Sequence, residues 1–421
     1  MENNYSANTA VIVKILGVIS LLISLKTLSL DIQHIKFNPT FHFPLLPVDI
    51  NYPTFILIHI LMITGAILLI SSKKTAIGSI CLSIGHIVLL AYDPLVYTDA
   101  QYMLLWLSII CLPFFSNKIL LIRSLYITSL CYQAINRVFS TQWTTGQTLI
   151  SYKNVFYNGH SLFDSVLSNI VMQNILIWII PLVQLSALTL LISSLKKKNI
   201  LLTLAGYHII MFILFCVFHK DPYIQYSQFM SGILLIAWIP PHQLKSWIQK
   251  KILLDSTDIP VKNYQQDYLS TKKKWISITI LGLVILQILI PASVYLQKND
   301  LNWTERGAWA SWRMKVNATD VKCIIAVRNP ITNQIRFHHP PQELNKQASA
   351  YQFTPYAIWH YTQFLKKKYT EAGLSNVEIY VKLQKSINGS PYYDLIDPRI
   401  NMANQEYNFV KENTWILQKP Q

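Results

Sequence analysis

The chain has 421 residues, 52% of them hydrophobic and only 13% charged, with a formal charge of +16. Soluble globular chains carry about 25% charged residues, so this composition excludes an ordinary soluble domain and points to a membrane protein. The basic excess would suit nucleic acid if it were clustered, but its placement between apolar runs assigns it to membrane topology and excludes a nucleic-acid partner.

A helix needs about 20 mostly apolar residues to cross the hydrocarbon. Nine runs qualify as predicted spans: 10–30, 53–71, 76–92, 102–116, 119–136, 166–194, 200–218, 224–240 and 275–296. The fourth and fifth are short and are separated only by "SNK", as a tight helical hairpin or a partly re-entrant pair. The first run follows "MENNYSANT", which has neither a positive n-region nor a small-residue cleavage site, and it reads as a retained span. With the N-terminus cytoplasmic, the inner loops hold thirteen lysines and the outer loops four basic residues, Lys36, Arg137, Lys153 and Lys220. That asymmetry sets the orientation and puts the C-terminus outside the cytoplasm. Five cysteines, four of them in apolar runs, give no disulfide framework.

The tail is different in kind. "VKCIIAV" (321–327) and "QIRFH" (334–338) flank "RNPITN" as strand, turn and strand. "FTPYAIWHYTQFLKKKYTEAG" (353–373) is a helix capped by Gly373. "VEIYVKL" (377–383) alternates as a strand, and "NGS" (388–390) is a tight turn. The predicted architecture is an α-helical polytopic membrane bundle of about nine spans (1–298) with a small extracytoplasmic α+β domain (299–421).

Between the two lies "LNWTERGAWASWRMKV" (301–316), three tryptophans and two arginines at the edge of the last span. Tryptophan suits a membrane interface, and arginine pairs with carboxylate or phosphate, so the stretch reads as a hinge that clamps tail to bundle and touches membrane lipid. It resembles the N-W-[ST]-x-x-G-x-x-[FW]-S-W-R-M-M segment of the vitamin K-dependent γ-glutamyl carboxylase family, part of the HTTM (horizontally transferred transmembrane) group. Asn302, Trp303, Thr304, Gly307, Ser311, Trp312, Arg313 and Met314 match, and Lys315 departs. "INGSPYYDLIDPRINMA" (387–403) is similar to the family's S-L-N-G-R … L-x-D-P-x-x-D-L-A segment, and "YQAINRVFSTQWTTG" (132–146) to its Y-F-x-A-G-x-x-K-x-x-x-x-W-x-x-G.

The resemblance implies a protein that works with a reduced, vitamin K-like quinone and an exported peptide, with no metal. It also implies a base: in the family a lysine within the bundle deprotonates the quinol. Aligned on Trp143 and Gly146, that position is Val138, and its neighbour Arg137 stays protonated and cannot act as the base. Ala100 and Met211 stand where the family has a histidine and an asparagine, whereas His208 is kept. His208 and Arg137 are therefore the candidate site residues inside the membrane, and Asp99, Trp303, Trp312 and Arg313 the candidate binding residues. No Cys or His spacing suggests a metal site. The expectation is a carboxylase-like membrane protein without the family's carboxylation, binding a quinone, lipid or peptide. The alternatives are a divergent quinone-dependent peptide-modifying enzyme and, third, a transporter, which the lack of paired intramembrane charges disfavours.

Overall fold

A computed structural model describes residues 7–35, 52–72, 74–92, 99–113, 115, 117–150, 165, 168–191, 197–218, 230–239, 270–296, 301–304, 311–312, 319–340, 354–374, 376–408 and 411–420. Among the described residues the N-terminal part is helical: α1 (Ala7–Ile35), α2 (Tyr52–Ile70), α3 (Thr75–Tyr92), α4 (Asp99–Ile110), α5 (Lys118–Val138), the single turn α6 (Thr141–Thr144), α7 (Ile170–Leu185), α8 (Lys197–Phe218) and α9 (Ser270–Ala292).

Among the described residues, four segments are long and apolar enough to cross a membrane: Thr9–Lys26, Pro53–Ile70, Ile170–Leu190 and Ile278–Tyr295. The expectation of nine spans is therefore not supported. The shortfall has physical causes. α4 has 12 residues, about 18 Å at 1.5 Å per residue, against a hydrocarbon core of about 30 Å. α5 is long enough, but it carries Lys118, Arg123 and Arg137. Of the 224–240 run, residues 230–239 are described, and they tighten from α-helix to a 3₁₀ turn at Leu235–Trp238.

α1, α2 and α3 pack closely because small residues face each other. A Cβ on Gly17 would lie 2.8 Å from the Ala66 carbonyl, and one on Gly78 would lie 2.8 Å from the Gly65 carbonyl, so only glycine lets these backbones approach. α5 is the polar post of the bundle. Lys118 Nζ donates to the carbonyls of Leu112 (2.6 Å) and Phe115 (2.9 Å), just past the end of α4. Arg123 Nε and Nη2 both donate to Ala237 O at 3.0 and 2.7 Å, with the guanidinium over the Trp238 ring.

The tail follows the sequence pattern. After the turn α10 (Leu301–Thr304) come β1 (Thr319–Arg328), β2 (Ile335–His338), α11 (Pro355–Glu371), β3 (Glu378–Ile387) and β4 (Tyr393–Asp394). They form an antiparallel sheet in the order β2-β1-β3-β4. Alternation puts Cys323, Ile325 and Val327 of β1, with Ile379, Val381 and Leu383 of β3, on the face that Tyr361 and Leu365 of α11 cover. Thr354 caps α11, its hydroxyl accepting from Ala357 N at 3.2 Å, with Pro355 at the first helical position. Gly373, at φ +85°, ends the helix, and Leu374 N reaches back to Tyr369 O at 2.9 Å. Asn388 (φ 53°) and Gly389 (φ 76°) make the predicted β3–β4 turn. His338, at the end of β2, is half-buried, its Nε2 hydrogen-bonded to the Tyr369 hydroxyl at 2.8 Å.

Two apolar cores result, and the hinge segment threads both. Trp303 belongs to the tail's core, with its indole Nε1 donating to Leu417 O at 2.8 Å. Trp312, nine residues later, belongs to the bundle's core, with its ring 5.0 Å from that of Tyr102. Its backbone is left-handed at φ 54°, an outlier for so bulky a residue that only surrounding contacts hold in place. Trp312→Ala is expected to lower stability by about 3–5 kcal/mol, seen as a reduced thermal unfolding midpoint in detergent. An unchanged midpoint would make the segment a plain linker.

Candidate functional site

The polar residues of the bundle gather where α5, α7 and α8 meet. Arg137 is the last buried residue of α5, with 4% of its surface exposed. It donates from Nη1 to Gln184 Oε1 at 2.9 Å and to the Gln133 carbonyl at 3.2 Å. Gln184 is fully enclosed, and its Nε2 donates to Gln133 Oε1 (2.9 Å) and to the Tyr207 hydroxyl (2.8 Å). The guanidinium lies 5.0 Å from the centre of the Trp143 ring, a cation–π contact that steadies a charge away from water.

Trp143 owes its own position to a proline. Pro181 sits inside α7 and has no N–H to give the Ile177 carbonyl one turn back. The Trp143 indole donates to that same carbonyl at 2.9 Å. Gly146 closes the unit at φ +77°, where an added Cβ would lie 3.3 Å from Ile177 Cδ1. The motif residues Trp143 and Gly146 thus build the wall against which Arg137 lies.

His208 is next to Tyr207 on α8, and successive helix positions point in different directions. Tyr207 therefore faces Gln184, while His208 Nε2 meets the Tyr126 hydroxyl at 3.0 Å. Gly232 packs over the imidazole, since a Cβ there would come within 3.3 Å of His208 Cβ. Val138 is half-buried at the end of α5, so the cation that points into the bundle is Arg137. A guanidinium donates hydrogen bonds and does not take up a proton. Among the described residues the patch gathers hydrogen-bond donors around an arginine.

Beside Arg137, Asn136 joins the bundle to the hinge. Its Nδ2 donates to Ser311 O at 3.0 Å, and its Oδ1 accepts from the Tyr295 hydroxyl at 2.6 Å. Trp312 is therefore one residue from a bond to the neighbour of Arg137. On the tail side, fully buried Lys385 donates from Nζ to the Trp303 carbonyl at 2.8 Å, and Asn388 Nδ2 donates to Thr148 Oγ1 of the bundle at 3.3 Å. In the tail's "LIDP" stretch, Asp397 accepts from Arg399 Nε (2.9 Å) and Nη2 (2.8 Å), which holds its carboxyl down at about 2.

The structure thus brings His208 and Arg137 into one polar patch and sets Trp312 above it through Asn136. Trp303 lies apart, in the tail's core. Asp99 opens α4, but its side chain, like all of Arg313, lies outside the described residues. Sequence reasoning missed Gln133, Asn136, Gln184, Tyr207, Tyr126 and Lys385. Each carried a signal, a polar residue at an apolar-facing position. Among the described residues no group of three His, Cys, Asp or Glu converges as metal ligands. Gln184→Leu is expected to destabilise the protein by about 1–3 kcal/mol by stranding the buried guanidinium, measured as a lower unfolding midpoint in detergent; an unchanged midpoint would show that Arg137 does not depend on Gln184.

Comparison with known families finds one match: residues 272–421 fit the family described as "Vitamin K-dependent gamma-carboxylase, lumenal domain", from within α9 to the C-terminus. No curated protein matches the chain, and no solved structure does. The lumenal domain and the apolar helices together describe a membrane protein with an extracytoplasmic C-terminal region.

Proposed function

We propose that this chain, whose residues 272–421 belong to the vitamin K-dependent gamma-carboxylase lumenal-domain family, binds a reduced quinone within its bundle but does not carboxylate glutamate. The observation that carries this reading is Arg137. The buried cation at the C-terminal end of α5 is an arginine with glutamine partners, the buried Lys118 lies at the helix's other end, and the position aligned with the family's base is Val138.

The donor set suits a ring that bears two oxygens. Arg137, Gln184 and Tyr207 form one hydrogen-bonded group and His208 with Tyr126 another, beside the bundle's apolar core. When bound, a reduced quinone supplies reducing equivalents. The chain's own residues would orient its oxygens, and the apolar helices would keep water out. General-base catalysis contributes about 10²–10⁴ in rate, so its loss leaves binding without turnover. On this reading residues 1–298 form an HTTM-type multi-pass bundle with a cytoplasmic N-terminus. Residues 299–421 face the lumen or periplasm, where an exported peptide is the partner and membrane lipid surrounds the bundle.

A divergent peptide-modifying enzyme is the second reading. It is favoured by His208 alone, an ionisable side chain inside the bundle that is hydrogen-bonded to Tyr126.

Purified protein is expected to add no carboxyl group to a Glu-rich peptide in the presence of reduced vitamin K and bicarbonate, and Val138→Lys alone should not restore the reaction, because Ala100 and Met211 leave the lysine unsupported. A reduced vitamin K analogue should nonetheless quench tryptophan fluorescence saturably. A carboxyl-sized mass gain that His208→Phe abolishes would replace this reading with the divergent enzyme. Quenching that never saturates would remove the quinone.

A further inference from the structure

We propose that α1, α2 and α3 enclose a second polar site, a water-binding cell formed by Ser20, Ser24, His59 and His86, separate from the Arg137 patch. The helix register places these residues together. Gly17, in the first half of α1, meets Ala66 and Ile70 at the end of α2, so the two helices run antiparallel. Two turns further along α1 and two turns back along α2 bring Ser24 level with His59. On the other side of α2, Gly65 meets Gly78 and Met62 meets Gly85, which puts His86 at the same level. All four residues are on buried stripes, with no more than 1% of any exposed.

The hydrogen bonding is incomplete in a particular way. His59 Nδ1 lies 3.1 Å from the Phe55 carbonyl. A carbonyl only accepts, so Nδ1 carries the proton and the Nε2 of the neutral ring is an acceptor. That Nε2 and the hydroxyls of Ser20 and Ser24 have no hydrogen-bond partner, although they are enclosed. Buried polar atoms are almost always paired, with protein or with ordered water. Three such atoms on two facing helices, beside a second imidazole, match what one or two waters need, since a buried water typically bonds about three groups. An apolar occupant would leave every one of these groups unpaired, and a metal ion lacks a third ligating side chain among the described residues. Water is the ligand the chemistry selects.

Met62 reports on the cell. It lies one turn from His59 on the same stripe, against Gly85, and is itself 1% exposed. X-ray radiolysis generates hydroxyl radicals from bound water in place, and methionine sulfur is readily oxidised. In detergent-solubilised whole protein, mass spectrometry should find Met62 oxidised at a rate comparable with exposed Met172, while buried Met230 and Met402 are spared. His59→Leu combined with Ser24→Ala should abolish Met62 oxidation and leave Met172 unchanged. Sparing of Met62 in the unmodified protein would overturn the proposal, and so would equal oxidation of Met62 in the double variant.

Discussion

The arrangement depends on one short stretch of backbone that two hydrophobic cores hold at once. Trp303 is buried in the lumenal core and Trp312 in the bundle core, so neither part can shift without drawing a tryptophan into water. An aromatic side chain buries about 150–250 Å², and each indole also sits beside a directed bond. Lys385 holds the Trp303 carbonyl and Asn136 holds the Ser311 carbonyl. The left-handed backbone at Trp312 is tolerated because both sides are fixed, a local cost offset by burial.

The same clamp explains where the polar patch lies. Asn136 and Arg137 are neighbours at the end of α5, one reaching the hinge and the other the bundle interior. A charge in an apolar bundle is expensive and needs partners. Among those described are the Gln133 carbonyl, the Gln184 side chain and the face of Trp143. The patch thus lies at the end of α5 that also meets the hinge.

Much of the tail was legible because its signals are local. Alternation located β1 and β3, threonine–proline and glycine marked the two ends of α11, and asparagine–glycine fixed the β3–β4 turn. β3 runs on to Ile387, past the predicted end at 383, since Lys385 keeps the apolar-face register as a buried cation. The bundle was less legible. Apolar runs identify helices but not which of them cross a membrane, and α4 is too short while α5 is too charged. His208 and Arg137 were visible as ionisable residues in or beside apolar runs. Gln133 and Gln184 were not, because a glutamine there announces neither its partner nor the chain separation across which it bonds. The pairing of Pro181 with Trp143 is likewise a contact between distant segments that no single window contains.

The tail domain is seated on the bundle at the end of α5. Thr148 of the bundle and Asn388 of the β3–β4 turn meet across that seat, Nδ2 to Oγ1 at 3.3 Å. In a cysteine-free background, Thr148→Cys with Asn388→Cys should be joined rapidly by a short bifunctional thiol reagent in the folded protein, and Trp312→Ala should slow the joining. If the pair is not joined, while each single cysteine still reacts with a monofunctional maleimide, the domain does not sit on the bundle as described.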